Sequence, residues 1–425
     1  MNSNRLKNIR LATTPKDKNR SKVFCIAPWM TMHVLPTSET LPCCVTRMGE
    51  GIGDVRKNTM EEIWNSSEMK KLRLDMLNDI PITGCNRCYE MEKSGAYSLR
   101  VNLNRTYYDE YGVVLTTKED GYVDKFNLKY LDVRFSNLCN FKCRYCSHGL
   151  SSAWYEDSVI LGEEFSSEKL ITAGNPKLDL YKQIEPHLTT IREVYFAGGE
   201  PLLQEEHFKI LKKLIDLGRT DISIIYATNF SKLTYKGENI LELWSKFDKD
   251  CIHIGASFDG MGSRGEYMRS GQLWDTAMDN VRDFYKKCPN QYFHIIPTIN
   301  CLNVWSFPDM HKYLIENNLV SPHAVYINLL TDPVPYRIQI FPKKMKDEIK
   351  KKYLDHIDWI TKDNRFGDTT WVVKLLNSII DFMYQEDLTK QIPIFLRTTA
   401  KLDKMRNESF KEVFPEYKEL YLWKE

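Results

Sequence analysis

Eight of the eleven cysteines fall into two groups: Cys25, Cys43, Cys44, Cys85 and Cys88, then Cys139, Cys143 and Cys146. The second group lies in NLCNFKCRYCSHG, a C-x3-C-x2-C array confined to one loop. Three thiolates so close together bind a soft cation. A four-iron cluster on three cysteines leaves one iron without a protein ligand, whereas an electron-transfer cluster uses four, and the open iron is able to bind a small molecule. Zinc is the other reading, closed by a fourth ligand such as His148. The first group gathers five cysteines from three places, enough for a four-thiolate cluster or a structural zinc. Cys251, Cys288 and Cys301 stand alone and are expected as small buried apolar side chains.

A second chemical signal is YFAGGEPLL. Gly198 and Gly199 let a ligand approach the backbone closely, and the Glu200 carboxylate before Pro201 is able to hold a cation. Further on, Thr228-Asn229 and Ser257-x-Asp259-Gly260 offer hydroxyl and amide groups, and Arg269 in EYMRSG offers a fork for a carboxylate. Asp259, His294 and Asp332 are candidate acid-base groups for which a structural use is the commoner outcome.

These residues need elements to position them. Between Leu128 and Thr331, short apolar strands alternate with amphipathic helices, the pattern of parallel βα units. The expected strands are 128–135, 193–197, 222–228, 252–258, 293–299 and 324–330. Leu203, Phe208, Leu211 and Ile215 mark one intervening helix, and Trp274, Met278, Val281 and Tyr285 another. An eight-unit barrel needs roughly 250 residues, so this span suits a partial (β/α)6 barrel, and the motifs at Cys139, Gly198, Thr228 and Ser257 then fall at the C-terminal ends of successive strands, with Arg269 following the fourth. Ahead of it, residues 23–95 are expected as a small cysteine-rich domain with a hairpin over Val23–Thr46 and a capping box at Thr59-x-x-Glu62. We expect a basic arm over 1–22, a linker over 96–127 and a helical region over 332–425, giving an α/β fold with attachments.

The formal charge of +2 (59 basic minus 57 acidic residues) provides no field for nucleic acid. No run of about 18 apolar residues and no signal-peptide core is evident, so no membrane is expected and the cytoplasm is the default. In that reducing compartment the cysteines are expected to serve metals or chemistry, not disulfides.

The three-cysteine loop after a first strand, together with GGEP, resembles the radical S-adenosylmethionine superfamily. That resemblance implies a 4Fe-4S cluster on Cys139, Cys143 and Cys146 whose open iron binds S-adenosylmethionine. It implies further cofactor contacts from Tyr145, Gly198, Gly199, Glu200, Asn229, Ser257 and Arg269. Cys25, Pro28-Trp29, Cys43-Cys44, Ile63-Trp64-Asn65-Ser66 and Cys85-x-x-Cys88 look like a SPASM or twitch domain, placed here before the barrel. It implies a second, auxiliary 4Fe-4S cluster on Cys25, Cys43, Cys85 and Cys88, with zinc as the alternative. Cys43 is preferred because adjacent cysteines rarely reach one cluster together, which leaves Cys44 to packing or as a spare. The tail around Thr399, Asp403, Arg406 and Pro415-Glu416 also looks similar to members with an amino-terminal twitch domain. The expected function is hydrogen abstraction from a peptide or protein side chain, fed by an external donor such as a flavodoxin or ferredoxin. The alternatives are a sugar or nucleotide-linked small molecule and, in another class, a non-catalytic metal-stabilised scaffold.

Overall fold

The computed structural model describes residues 21–93 and 97–421. The basic arm expected over 1–22 therefore lies almost wholly outside the described residues. The chain divides into two compact units, one of residues 1–138 with 170–225 and one of residues 139–169 with 226–425.

In the first unit, strands Thr31–Val34 and Glu39–Leu41 form the expected hairpin, antiparallel with His33 opposite Leu41. Strand Thr31–Val34 also pairs in parallel with Tyr130–Val133, residue for residue from Thr31–Tyr130 to Val34–Val133. Tyr130–Val133 pairs in turn with Glu193–Phe196, again in parallel. The cysteine-rich segment therefore continues the sheet of the first two βα strands, an arrangement that the separate boundaries expected for it do not describe. His33 and Asp132, which are register partners, bring Nδ1 and Oδ1 to 3.0 Å, with both side chains buried. Thr59 and Glu62 form the capping box, opening the helix Met60–Trp64. Asn65 ties that helix to Val123 through both backbone groups of the latter, and Arg73 lies over the Trp64 ring. The stretch 96–127, expected as a linker, contains the helices Leu99–Thr106 and Tyr111–Leu115. Ser98 caps the first, and Leu99 and Leu103 stand one turn apart on it.

In the second unit, Ile252–Ala256 pairs in parallel with Tyr292–Ile295, and Thr298–Ile299 with Asn328–Leu329. The strand expected over 293–299 is broken at Ile296-Pro297, where proline removes a donor. The last expected strand shrinks to Asn328–Leu329 and a bridge at Val325. The helix Trp274–Lys287, which precedes Tyr292–Ile295 in the chain, buries Trp274, Met278 and Val281 of the expected face together with Ala277 and Phe284, whereas Tyr285, also expected there, is exposed. Phe230, Trp244, Phe284 and Phe293 form an aromatic core, with the Trp244 indole N–H donating to the Tyr226 hydroxyl at 2.9 Å. After Asp332 the chain is helical, chiefly Lys343–Lys362, Thr370–Tyr384 and Ile392–Arg406. The fold class is α/β with parallel strand pairing and a helical C-terminal region. Cys288 and Cys301 are buried as expected, but Cys251 is only half-buried. Among the described residues no helix is long and apolar enough to cross a membrane.

Candidate active site

In the second unit the three-cysteine loop is pinned by a two-residue ladder. Lys142–Cys143 runs antiparallel to Arg269–Ser270, with Cys143 opposite Arg269. That register puts Arg269 Nη1 3.6 Å from Cys143 Sγ, while Arg269 Nε donates to Asp259 Oδ2 at 2.8 Å. The other Asp259 oxygen accepts the Thr298 N–H at 2.7 Å, so Asp259 is an orienting partner for Arg269 in this arrangement. The Arg269 guanidinium also lies 5.6 Å from the centre of the Tyr145 ring. Cys146 turns back on Cys143 through its N–H to the Cys143 carbonyl, at 3.0 Å. The Cys139 N–H donates to Ser152 Oγ at 3.2 Å. Asn229 reaches the same loop, its amide donating to Asn140 Oδ1 at 2.9 Å. Ser257 is half-buried and its N–H donates to the Thr228 carbonyl, so the strand ends carrying Asn229 and Ser257 are neighbours.

Burial dominates the electrostatics. It lifts the Cys143 thiol above its ordinary range despite the opposing pull of Arg269. Burial, reinforced by Cys143, pushes Cys146 up to about 12. Burial that favours the neutral thiol opposes the thiolate form that a metal binds.

In the first unit, Gly198 and Gly199 follow strand Glu193–Phe196 with φ of +77° and +56°. A Cβ on Gly198 would lie 2.3 Å from Arg134 Cδ, and one on Gly199 2.5 Å from the Leu138 carbonyl oxygen. Backbone in the left-handed region with no room for a Cβ requires glycine. The Glu200 N–H donates to the Leu138 carbonyl at 2.7 Å, and its carboxylate, 1% exposed as a residue, accepts the Leu202 N–H at 3.1 Å. Gly199→Ala is expected to lower unfolding stability by about 1–3 kcal/mol, the cost of a strained backbone position. Chemical denaturation of the metal-free protein measures this, and an unchanged midpoint would mean that the loop refolds around the methyl group.

The cysteine-rich segment builds its own cavity. Cys25, Cys43, Cys85 and Cys88 line it together with Val45, Thr46, Gly84, Leu99, Arg100 and Leu103. Cys25 precedes the turn Ala27–Trp29, Cys43 follows the hairpin, and Cys85 and Cys88 stand one turn apart where Thr83–Cys85 runs into the helix Asn86–Lys93. Cys44 is absent from the cavity lining, and its strongest charged neighbour is Asp132, with Arg134 also near. Burial raises the Cys25 and Cys43 thiols and, with Cys43 and Cys88 adding to it, pushes Cys85 to about 12. Among the described residues, no three Cys, His, Asp or Glu side chains come close enough to share one metal ion. Four thiols arranged around a cavity suit a cluster that gives each thiolate its own iron. Leu99, Arg100 and Leu103, the wall from the supposed linker, were missed; Ser98 and the Leu99–Leu103 spacing were their only signal.

Other candidates fall away from chemistry. His148 uses both ring nitrogens on backbone, Nδ1 accepting from the Phe165 N–H at 3.2 Å and Nε2 facing the Lys169 carbonyl at 3.1 Å, so it staples a loop and does not close a metal site. His294 is stacked against Tyr292, and burial lowers it to about 4. Asp332 is exposed.

A model of the Radical SAM superfamily matches residues 133–314, and a model of the SPASM iron–sulfur cluster-binding domain matches residues 25–89. Among curated proteins, the GTP 3′,8-cyclase of Aliarcobacter butzleri is 31% identical over 110 residues, 25% of this chain and 29% of the cyclase. An uncharacterized protein of Methanocaldococcus jannaschii is 25% identical over 265 residues, 57% of this chain and 83% of that protein. Among solved structures, Streptococcus suis SuiB bound to S-adenosylmethionine aligns with a TM-score of 0.39 and 14% identity, over 71% of this chain and 62% of SuiB. Native anSMEcpe with bound AdoMet and Cp18Cys peptide aligns with a TM-score of 0.35 and 17% identity, over 52% of this chain and 58% of that one. The chain thus spans under a third of the cyclase and under two thirds of either solved protein.

Proposed function

Because the chain belongs to the radical SAM superfamily and carries a SPASM domain ahead of the matching core, we propose that it is a radical S-adenosylmethionine enzyme acting on a peptide or protein side chain. The family's cofactors are a 4Fe-4S cluster, S-adenosylmethionine and, through the SPASM domain, an auxiliary iron–sulfur cluster. With these bound, one-electron cleavage of S-adenosylmethionine supplies a 5′-deoxyadenosyl radical that takes a hydrogen atom from the substrate.

This chain's residues bind and orient. In our reading Cys139, Cys143 and Cys146 hold the first cluster, and Cys25, Cys43, Cys85 and Cys88 the second. Arg269 holds the carboxylate of S-adenosylmethionine, Glu200 its amino group, Tyr145 the adenine, and Asn229 and Ser257 the ribose hydroxyls. Gly198 and Gly199 leave the backbone open to the ligand. The observation that supports the reading is the pairing of Cys143 with Arg269, which sets the Cys143 thiol beside a guanidinium that Asp259 aims. An external one-electron donor of the flavodoxin or ferredoxin class completes the system, and such reduced iron–sulfur chemistry suits a cytoplasmic setting.

The test is anaerobic reconstitution followed by counting iron, sulfide and 5′-deoxyadenosine. Iron–sulfur loading with S-adenosylmethionine cleavage supports an enzyme, whereas zinc and no cleavage would leave a scaffold. Glu200→Ala is expected to weaken S-adenosylmethionine binding about ten- to a hundredfold, the worth of a charged hydrogen bond. For Arg269, Lys is the better replacement, because Ala would leave the buried Asp259 carboxylate without its counter-charge. Arg269→Lys keeps the charge and loses the fork, so the same direction of effect is expected in equilibrium dialysis, at unchanged iron content. Parent-like binding by both variants would remove these residues from the cofactor site.

A second substrate reading is a nucleotide-linked small molecule, favoured by the sequence match to GTP cyclases. The two are separated by whichever stimulates 5′-deoxyadenosine release, a pool of peptides or a set of nucleotides.

A further inference from the structure

The C-terminal helix Ile392–Arg406 and the turn after it grip the three-cysteine loop from about 250 residues further along the chain, on either side of Cys143, at Lys142 and at Arg144. Arg406 Nη1 donates to the Lys142 carbonyl at 3.0 Å, and Arg406 Nε to Asp157 Oδ2 at 2.8 Å. The Arg406 guanidinium lies 4.6 Å from the centre of the Trp154 ring, and the Trp154 indole N–H donates to the Cys143 carbonyl at 2.8 Å. Arg144, between Cys143 and Tyr145, has a fully buried side chain whose Nη2 meets Asp403 Oδ1 and Glu408 Oε2, each at 2.5 Å. Arg144 also lies 3.6 Å from the centre of the Tyr267 ring, and the Tyr267 hydroxyl donates to Asp403 Oδ1 at 2.7 Å.

The tail is shaped for this. Asn407 takes the left-handed conformation that ends the helix, with φ +53°, and turns the chain so that Glu408 follows Asp403 onto the same guanidinium. The second Asp403 oxygen accepts the Phe410 N–H at 2.7 Å, and Glu408 Oε1 accepts the Ser270 hydroxyl at 2.9 Å. Ser270 follows Arg269 in the two-residue strand that pairs with Lys142–Cys143. Two carboxylates and one guanidinium thus fasten both strands of that ladder to one tail.

We propose that Asp403, Arg406 and Glu408 are positioning residues that hold the loop of Cys139, Cys143 and Cys146 in ligand-ready form before metal binds. The meaning of "ligand-ready" rests on the function proposed above, whereas the clamp itself is a property of the metal-free chain. A flexible loop loses conformational freedom when three of its thiols are fixed on one group, and a loop ordered in advance does not. The tail therefore speeds and strengthens loading of the first cluster without touching it, and leaves the auxiliary site alone.

The test uses the full chain with Asp403→Asn and Glu408→Gln combined, and Asp403→Glu as the conservative control. In metal-free protein, amide hydrogen exchange over 142–146 is expected to rise about tenfold or more in the double variant, as for loss of one charged hydrogen bond, while exchange around Cys85 and Cys88 stays at the parent level. During anaerobic loading with iron and sulfide, uptake by the barrel cysteines should slow by a similar factor, and Asp403→Glu should restore most of it. Should the double variant not fold, Asp403→Asn alone keeps a one-to-one pair between Arg144 and Glu408 and must show a smaller rise confined to the same segment. Parent-like exchange at 142–146 overturns the proposal. If the parent protein takes up no iron at Cys139, Cys143 and Cys146, the proposed function fails, and the exchange result still decides the clamp.

Discussion

Cys139→Ala is expected to abolish formation of 5′-deoxyadenosine while about half of the iron remains bound, two four-iron clusters becoming one. The reason is the separation of the donor sets. Cys139, Cys143 and Cys146 belong to one loop, whereas Cys25, Cys43, Cys85 and Cys88 line a cavity within another compact unit. Removing one of three thiolates leaves two iron atoms without protein ligands on a cluster that already has one open iron, and such a cluster is lost or rearranged. The auxiliary cavity takes its walls from residues 25–103 and keeps its own four cysteines in this variant. The measurements are iron and sulfide per chain after anaerobic reconstitution and chromatographic quantitation of 5′-deoxyadenosine against the parent protein. A variant that still forms 5′-deoxyadenosine at the parent rate would sink the assignment of the loop to the radical cluster.

Replacing Cys85 and Cys88 together by serine is expected to divide the activity, keeping uncoupled cleavage of S-adenosylmethionine and losing product. The residues proposed for the cofactor are complete without this pair, so cleavage does not require it. Four thiols line the auxiliary cavity, however, and a cluster held there would have a potential tunable over roughly −700 to +450 mV, suited to receiving an electron from the substrate. The cavity wall also argues for a folded variant, because Leu99 and Leu103 come from a helix with its own cap and Arg100 is held by Glu92 and the Phe24 carbonyl. With a substrate identified, both yields are measured in one reaction. Full product formation by a soluble variant that lacks the auxiliary iron would reduce this domain to a structural cap.

The chemistry was legible in the sequence because it depends on local spacing. C-x3-C-x2-C and Cys85-x-x-Cys88 put thiols within a loop or a helical turn of one another, and GGEP carries a pair of glycines whose positive φ the structure displays. The helices Glu205–Asp216 and Trp274–Lys287 and the βα strands were readable for the same reason, since periods of two and 3.6 residues are local properties. Tertiary structure decided whatever depends on partners distant in the chain. Nothing in Thr31–Val34 announces Tyr130–Val133 as its parallel neighbour, because strand pairing leaves no mark on either sequence alone. Cys43 and Cys44 are equivalent by type, and which of them faces the cavity follows from the direction in which the chain leaves the hairpin. His148 has the chemistry of a ligand until Phe165 and Lys169 occupy its two nitrogens. Arg144 is an unremarkable basic residue between cysteines until folding brings Asp403 and Glu408 to it, since a buried charge is given its meaning by the counter-charges that arrive with the fold.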